Sequence, residues 1–149
     1  MPDAALADPP LGERHLADTS AWSKAHNHDQ LAIAFDEAVR SGLIATCDLV
    51  ALELLRSARN HERFTHQRSL LEELPGAPIG TSQLARAREV QDLLAAQGRH
   101  RGVKPADLLI AAAAEAAGLP LLHYDHDYDL IASVTDQPSR WLAPRGSLP

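Results

Sequence analysis

Cysteine is almost missing from this sequence: Cys47 is the only one. One thiol excludes an intrachain disulfide and fits a reducing compartment. Aromatic residues are scarce as well, with two each of Phe, Trp and Tyr. The core must therefore be built mainly from aliphatic side chains and alanine. No apolar run is long enough to cross a bilayer. The opening MPDAALADPP lacks the basic start and apolar centre of a signal peptide, so the expected location is the cytoplasm, with no membrane partner. An excess of basic charge is also missing: 14 Lys and Arg stand against 20 Asp and Glu, a net charge of -6. That argues against a protein that coats nucleic acid by bulk electrostatics. It does not exclude a nuclease, whose metal site needs local acids. There is no glycine-rich phosphate loop, no G-x-S-x-G elbow and no internal repeat.

What is present is an ordinary globular composition, 45% hydrophobic and 23% charged in 149 residues. That is enough for one domain with a sizeable core. The expected division is a loose tail over 1–13, one domain over 14–143 and a second loose tail over 144–149.

The chain is organised around Val103 to Ala132, VKPADLLIAAAAEAAGLPLLHYDHDYDLIA. Pro105 suits a first helical position, where its missing N–H costs nothing. Asp107 falls in the first turn, which favours a carboxylate. Leu108 to Ala117 is nearly all apolar, so the helix should lie against a core. Gly118 can end it with a left-handed cap. Leu119 to Leu122 reads as a buried strand with Pro120 at its start. The acids Asp125, Asp127 and Asp129 follow at once. Clustered carboxylates repel, and need protons or a cation to coexist.

Earlier in the chain, Arg14 to Ala17 reads as a short strand leading into Asp18-Thr19-Ser20. Thr19 or Ser20 suits a helix cap there, and Asp18 or Ser20 can do nothing more than cap. Asp29 to Ser41 reads as an amphipathic helix closed by Gly42, and Leu43 to Cys47 as a strand in which Cys47 is a small core residue. Asp48 opens a helix in which Glu53 sits among leucines. An acid so placed borders a polar cleft or has a partner, Arg56 and Arg59 being the local choices. His61 to Leu74 reads as a polar helix ended by Pro75. A connector follows, with a very short edge strand at Ile79. Thr81 should cap a helix reaching Gln97. Leu130 to Val134 gives one helical turn, and Arg140 to Ala143 a last strand. Strands alternating with helices argue a mostly parallel sheet covered on both faces, with a site at the strands' carboxyl ends.

Asp18, Glu53, Asp107 and Asp125 stand at element ends or on an inward face. Hard oxygen ligands of this kind suit Mg²⁺ or Mn²⁺, and such ions activate water against a phosphodiester. The histidine pairs His26/His28 and His123/His126 lack the spacing and cysteines of a structural zinc site, and read as surface residues. Arg99, Arg101 and Lys104 form a basic loop; solvated surface is the better reading of such a group alone, and contact to an RNA backbone is the functional one.

LADTSAW, LVALELLRSAR with its acid, KPADLLIAAAA and LLHYDHDYDLIA, in this order, resemble a PIN domain. The closest group is the VapC-type toxins of bacterial toxin–antitoxin pairs. The resemblance covers about Arg14 to Ala143. It implies a three-layer α/β/α fold with a mostly parallel sheet and a Mg²⁺- or Mn²⁺-dependent endoribonuclease that acts as a type II toxin. It also implies an antitoxin that blocks the site, an RNA substrate, and a homodimer. The family's four acids fall on Asp18, Glu53, Asp107 and Asp125, with Asp127 an alternative to Asp125. The supporting hydroxyl falls on Thr19 or Ser20. On this reading Asp18, Asp107 and Asp125 hold the metal, and Glu53 completes the site or orients water. Asp127 is expected to cap the turn that follows it. A non-catalytic PIN-like module that binds RNA or protein is the alternative. A receiver-like signalling domain is disfavoured, because Leu16-Ala17 precede Asp18 where it needs an acid, and no lysine follows Lys104.

Overall fold

Four short strands, all parallel, pair in the order β2-β1-β3-β4. They come from a computed structural model that describes residues 11–149. In chain order the elements are β1 (His15–Ala17), α1 (Thr19–His26), α2 (Asp29–Arg40), β2 (Ile44–Ala45), α3 (Asp48–Arg56), α4 (His61–Glu72), α5 (Thr81–Ala96), a 3-10 turn (His100–Gly102), α6 (Pro105–Ala116), β3 (Leu121–His123), α7 (Asp127–Thr135) and β4 (Ser139–Trp141). β1, β2 and β3 are fully buried, as burial under two helical layers requires of a parallel sheet, while β4, Ser-Arg-Trp, is the exposed edge. Leu16 pairs with Leu121, and Ala17 with Leu122. Leu16 and Leu121 join a core with residues of α3, α5, α6 and α7. Ala17 and Leu122 point the other way, into a core with Ala21, Leu31 and Phe35 of α1 and α2. The three-layer α/β/α expectation holds. Among the described residues no helix is long and apolar enough to cross a membrane.

Local chemistry sets most of the boundaries. Pro105 opens α6, and Gly118 follows its end at φ +68°. Gly42 and Gly98 close α2 and α5 in the same left-handed conformation, which glycine adopts without a Cβ penalty. Of the caps open to α1, the structure uses Asp18 rather than Thr19 or Ser20, and it accepts from the Ala21 N–H at 3.1 Å. Several expectations are corrected. The cap of α5 is Gly80, whose N–H donates to the Gln83 side chain at 2.7 Å, so Thr81 is already helical. No strand forms at Ile79; the connector touches the sheet through a bridge between Thr46 and Gly76. The turn expected at Leu130 is a full helix beginning at Asp127.

Of the expected loose N-terminal tail, residues 1–10 lie outside the described residues, while Leu11 is buried in the core of α1 and α2. The C-terminal segment is not loose either. Leu148 packs on that core, its N–H donates to the Tyr124 hydroxyl at 2.8 Å, and Lys24 donates to the Pro149 carbonyl.

Candidate active site

The chain runs outward from β1 to β2, then returns to place β3 on the other side of β1. Where the order reverses, the loops leaving β1 and β3 diverge and open a crevice at their carboxyl ends. Asp18 leaves β1 at that point, and Tyr124-Asp125 leave β3. Ser20 ties the two loops together. Its hydroxyl lies 2.7 and 2.9 Å from the two oxygens of Asp18, to which it donates, and accepts the Tyr124 N–H at 2.8 Å.

Asp107 enters the crevice from the first turn of α6, its residue only 5% exposed. Asp125 and Asp127 come from the loop and the start of α7. One carboxylate oxygen from each of Asp107, Asp125 and Asp127 lies within 4.8 Å of the others. Lys104, just before α6, sends its ammonium among them, at 3.5 Å from Asp107, 3.2 Å from Asp125 and 3.2 Å from Asp127. Its backbone N–H donates to Asp127 Oδ2 at 3.2 Å. The Tyr128 hydroxyl, buried with its ring, donates to Asp107 Oδ1 at 3.2 Å. It also faces the Asp18 carboxyl, so the phenol stands between the acid after β1 and the acid of α6.

Burial pushes Asp18 from 3.8 up to about 6, against the hydrogen bonds from Ser20 and Ala21 that favour its charge. Burial, a shared hydrogen bond with Asp127 and the neighbouring carboxylates push Asp107 up to about 7, despite Lys104. Asp127 moves the other way. Burial opposes its charge, but hydrogen bonds from Asp107 and from the Lys104 backbone and ammonium outweigh it. Burial also works against the Lys104 ammonium, and the three carboxylates still hold it above the usual lysine value. Asp107 Oδ2 is buried and makes no hydrogen bond, the Lys104 ammonium lying 3.5 Å away. A proton shared with Asp127 or a divalent cation satisfies such an oxygen, and an all-oxygen donor set of this kind suits Mg²⁺ or Mn²⁺.

The structure brings Asp107, Asp125 and Asp127 into one group, and leaves Asp18 outside it, bonded to Ser20 and Ala21 with Tyr128 between. Glu53 is half-buried on α3, and its Oε1 accepts from the Thr19 hydroxyl at 2.7 Å. Its partner is thus Thr19, not Arg56 or Arg59. Both Asp125 and Asp127 belong to the group, so its geometry does not favour one over the other. The capping expectation is reversed: Asp125 Oδ1 accepts the Asp127 N–H at 2.9 Å, while Asp127 faces Lys104. Lys104, expected on an RNA backbone, has its ammonium among the acids. Arg99 and Arg101 are exposed at the loop leading to it. His123, read as a surface residue, is fully buried between Tyr128 and Trp141, and burial lowers it to about 4. Its Nδ1 accepts the Asp125 N–H at 3.2 Å, so the neutral ring holds the acid loop from below. From the sequence, Tyr128 and Ile131 turn back onto the core, as they do here. The placement of the Tyr128 hydroxyl on Asp107 is what sequence reasoning missed.

Comparison with known proteins places these features in context. The model of the PIN domain matches residues 16–134. Ribonuclease VapC18 of Mycobacterium tuberculosis (strain ATCC 25618 / H37Rv) is 42% identical over 133 residues, covering 88% of this chain and 96% of the relative. Ribonuclease VapC21 of the same strain is 38% identical, covering 90% of this chain and 97% of the relative. Among solved structures, VapBC-1 from nontypeable Haemophilus influenzae superposes with TM-score 0.67 at 20% identity, over 86% of this chain and 97% of that one. VapBC2 from Rickettsia felis, bound to a DNA fragment from its promoter, gives 0.66 at 16% identity, over 85% and 97%. At these identities the two structures bear on the fold alone.

Proposed function

This chain belongs to the PIN domain family, and from that membership we propose that it is a VapC-type endoribonuclease, the toxin of a type II toxin–antitoxin pair, using Mg²⁺ or Mn²⁺ to hydrolyse RNA. Full-length relatives that carry the name ribonuclease VapC support the activity. The observation that carries the metal reading is the trio of carboxylate oxygens within 4.8 Å of one another, at the crevice where the strand order reverses.

Asp107, Asp125 and Asp127 would hold the ion. When bound, it supplies a Lewis acid that lowers the pKa of water and neutralises phosphate charge. Asp18, fixed by Ser20 and facing Tyr128, keeps the opposite wall of the crevice acidic. Glu53, held by Thr19, offers an acceptor that can orient the attacking water in line with the scissile bond. Arg99 and Arg101 would contact the RNA backbone. The protein's share is thus positioning and electrostatic preorganisation. The expected setting is the cytoplasm, with an antitoxin as a second chain, and a homodimer is the expected assembly.

The test is cleavage of RNA by the purified chain with Mn²⁺, with chelator, and by Asp107→Asn. The wild type should cut only with the metal. Asp107→Asn should be inactive at full solubility and unchanged helical content. Cleavage by Asp107→Asn near the wild-type rate would sink the assignment. Expression of the wild type alone should arrest growth, and co-expression of its antitoxin should restore it.

A further inference from the structure

Lys104 is one of only two lysines in the chain, with Lys24. Its ammonium lies 3.2 to 3.5 Å from an oxygen of each of Asp107, Asp125 and Asp127, the same three groups that form the candidate cation site. A lysine on a surface normally pairs with one acid. This one is centred on three, although its side chain is 65% exposed and free to lie elsewhere. Its backbone position is pinned independently, by the N–H bond to Asp127 at 3.2 Å and by Pro105 next to it. The pinning puts the root of the side chain at the rim of the trio. The long stem can then deliver the ammonium inward or swing it out to solvent. Asp107 Oδ2 is buried and makes no hydrogen bond, and its one cationic neighbour is this ammonium at 3.5 Å, so the innermost oxygen of the trio has room for a cation at closer range.

Resting on the metal reading above, we infer that Lys104 is a tethered counter-ion that competes with the divalent cation for the carboxylate trio and leaves when the ion binds. Two positive charges cannot share three carboxylates at these distances without repelling one another. The ion must therefore displace the ammonium, and the cost of displacement lowers metal affinity. With the trio freed of Lys104, its acids repel, so the tether also protects the fold before the ion arrives. Once expelled, the ammonium stands at the mouth of the crevice, where an incoming phosphate would meet it. The lysine would then serve first the acids and later the substrate.

Calorimetric titration with Mn²⁺ at pH 8 tests this, on the wild type, Lys104→Met, Lys104→Gln and Arg88→Met. Arg88 is exposed on α5 and serves as the control for loss of a positive charge elsewhere. Lys104→Met should bind Mn²⁺ about tenfold more tightly, as removal of one close competing charge predicts. Lys104→Gln, which keeps a hydrogen-bonding head without charge, should behave alike and guards against misfolding of the Met variant. Arg88→Met should bind as the wild type does. A second readout is amine labelling followed by mass spectrometry. Mn²⁺ should raise the labelling of Lys104 in the wild type, with Lys24 as the unchanged internal reference. Equal or weaker Mn²⁺ binding by both Lys104 variants, or Lys104 labelling that does not respond to Mn²⁺, overturns the inference while leaving the metal site standing. Absence of Mn²⁺ binding in every variant, wild type included, overturns the metal reading itself and the competition with it.

Discussion

Tyr128 shows what a single hydroxyl can do in a crevice of acids. It donates to Asp107 and faces Asp18, two carboxyl groups that burial has already pushed up. Tyr128→Phe keeps the ring and removes that link. It should lower stability by about 1 kcal/mol, the typical worth of a hydrogen bond, and reduce cleavage by more than the stability loss explains. Chemical denaturation and RNA cleavage on the same preparation check both. Asp107 gives the pH prediction. Its folded value, about 7, lies above the ordinary 3.8. The folded state therefore holds a proton that the unfolded state has lost, and stability falls as pH rises through that window. Asp107→Asn cannot ionise. Without metal, it should melt above the wild type at pH 8, by several degrees or on the order of 2 kcal/mol. The gain should fade toward pH 4. An equal gain at both ends would mean that repulsion at Asp107 is not the cause. The acids were legible in the sequence because each interrupts or borders an apolar pattern. Tyr128 and Lys104 were not, because their roles depend on where two distant helices begin.

At the level of elements, punctuation decided what could be read. Pro105 and Gly118 bracket α6, Gly42 closes α2, and Pro75 stops α4, and each of these signals acts within a residue or two of itself. The start of α7 carried no such signal. His-Asp-Tyr-Asp is polar enough to read as loop, and its helix is held by Asp125 from before and by Tyr128 and Ile131 packed inward. Ile79 failed as a strand because the sheet bridge formed at Thr46 and Gly76 instead. With the capping oxygen on Asp125, Asp125→Ala should lose about 1 kcal/mol of stability as well as Mn²⁺ affinity. Asp127→Ala should lose Mn²⁺ affinity and its bond to the Lys104 N–H. Melting curves and calorimetry on both variants separate the roles. An intact melting temperature in Asp125→Ala would return the cap to Asp127.

For the whole molecule, the three-layer architecture was legible because apolar strands alternate with amphipathic helices, and that pattern needs no detail of the site. The strand order was not, since β1 with β3 and β1 with β2 are equally apolar pairings in sequence. Metal linkage is a property at this scale. A cation that binds only the folded crevice stabilises the entire fold by mass action. Protons on Asp18 and Asp107, held up to about 6 and about 7, compete with it at low pH. Saturating Mn²⁺ should therefore raise the melting temperature more at pH 8 than at pH 5. A shift independent of pH would place the ion away from these acids.

The pairing of Leu16 with Leu121 has a consequence for synthesis. Chains emerge from the ribosome N-terminus first, and their parts can fold as they appear. Asp18, Glu53 and Asp107 leave the ribosome well before β3 can dock beside β1 and bring Asp125 and Asp127 with it. A nascent chain halted anywhere short of Asp127 lacks the trio, so the proposed ion site cannot assemble until translation is nearly done.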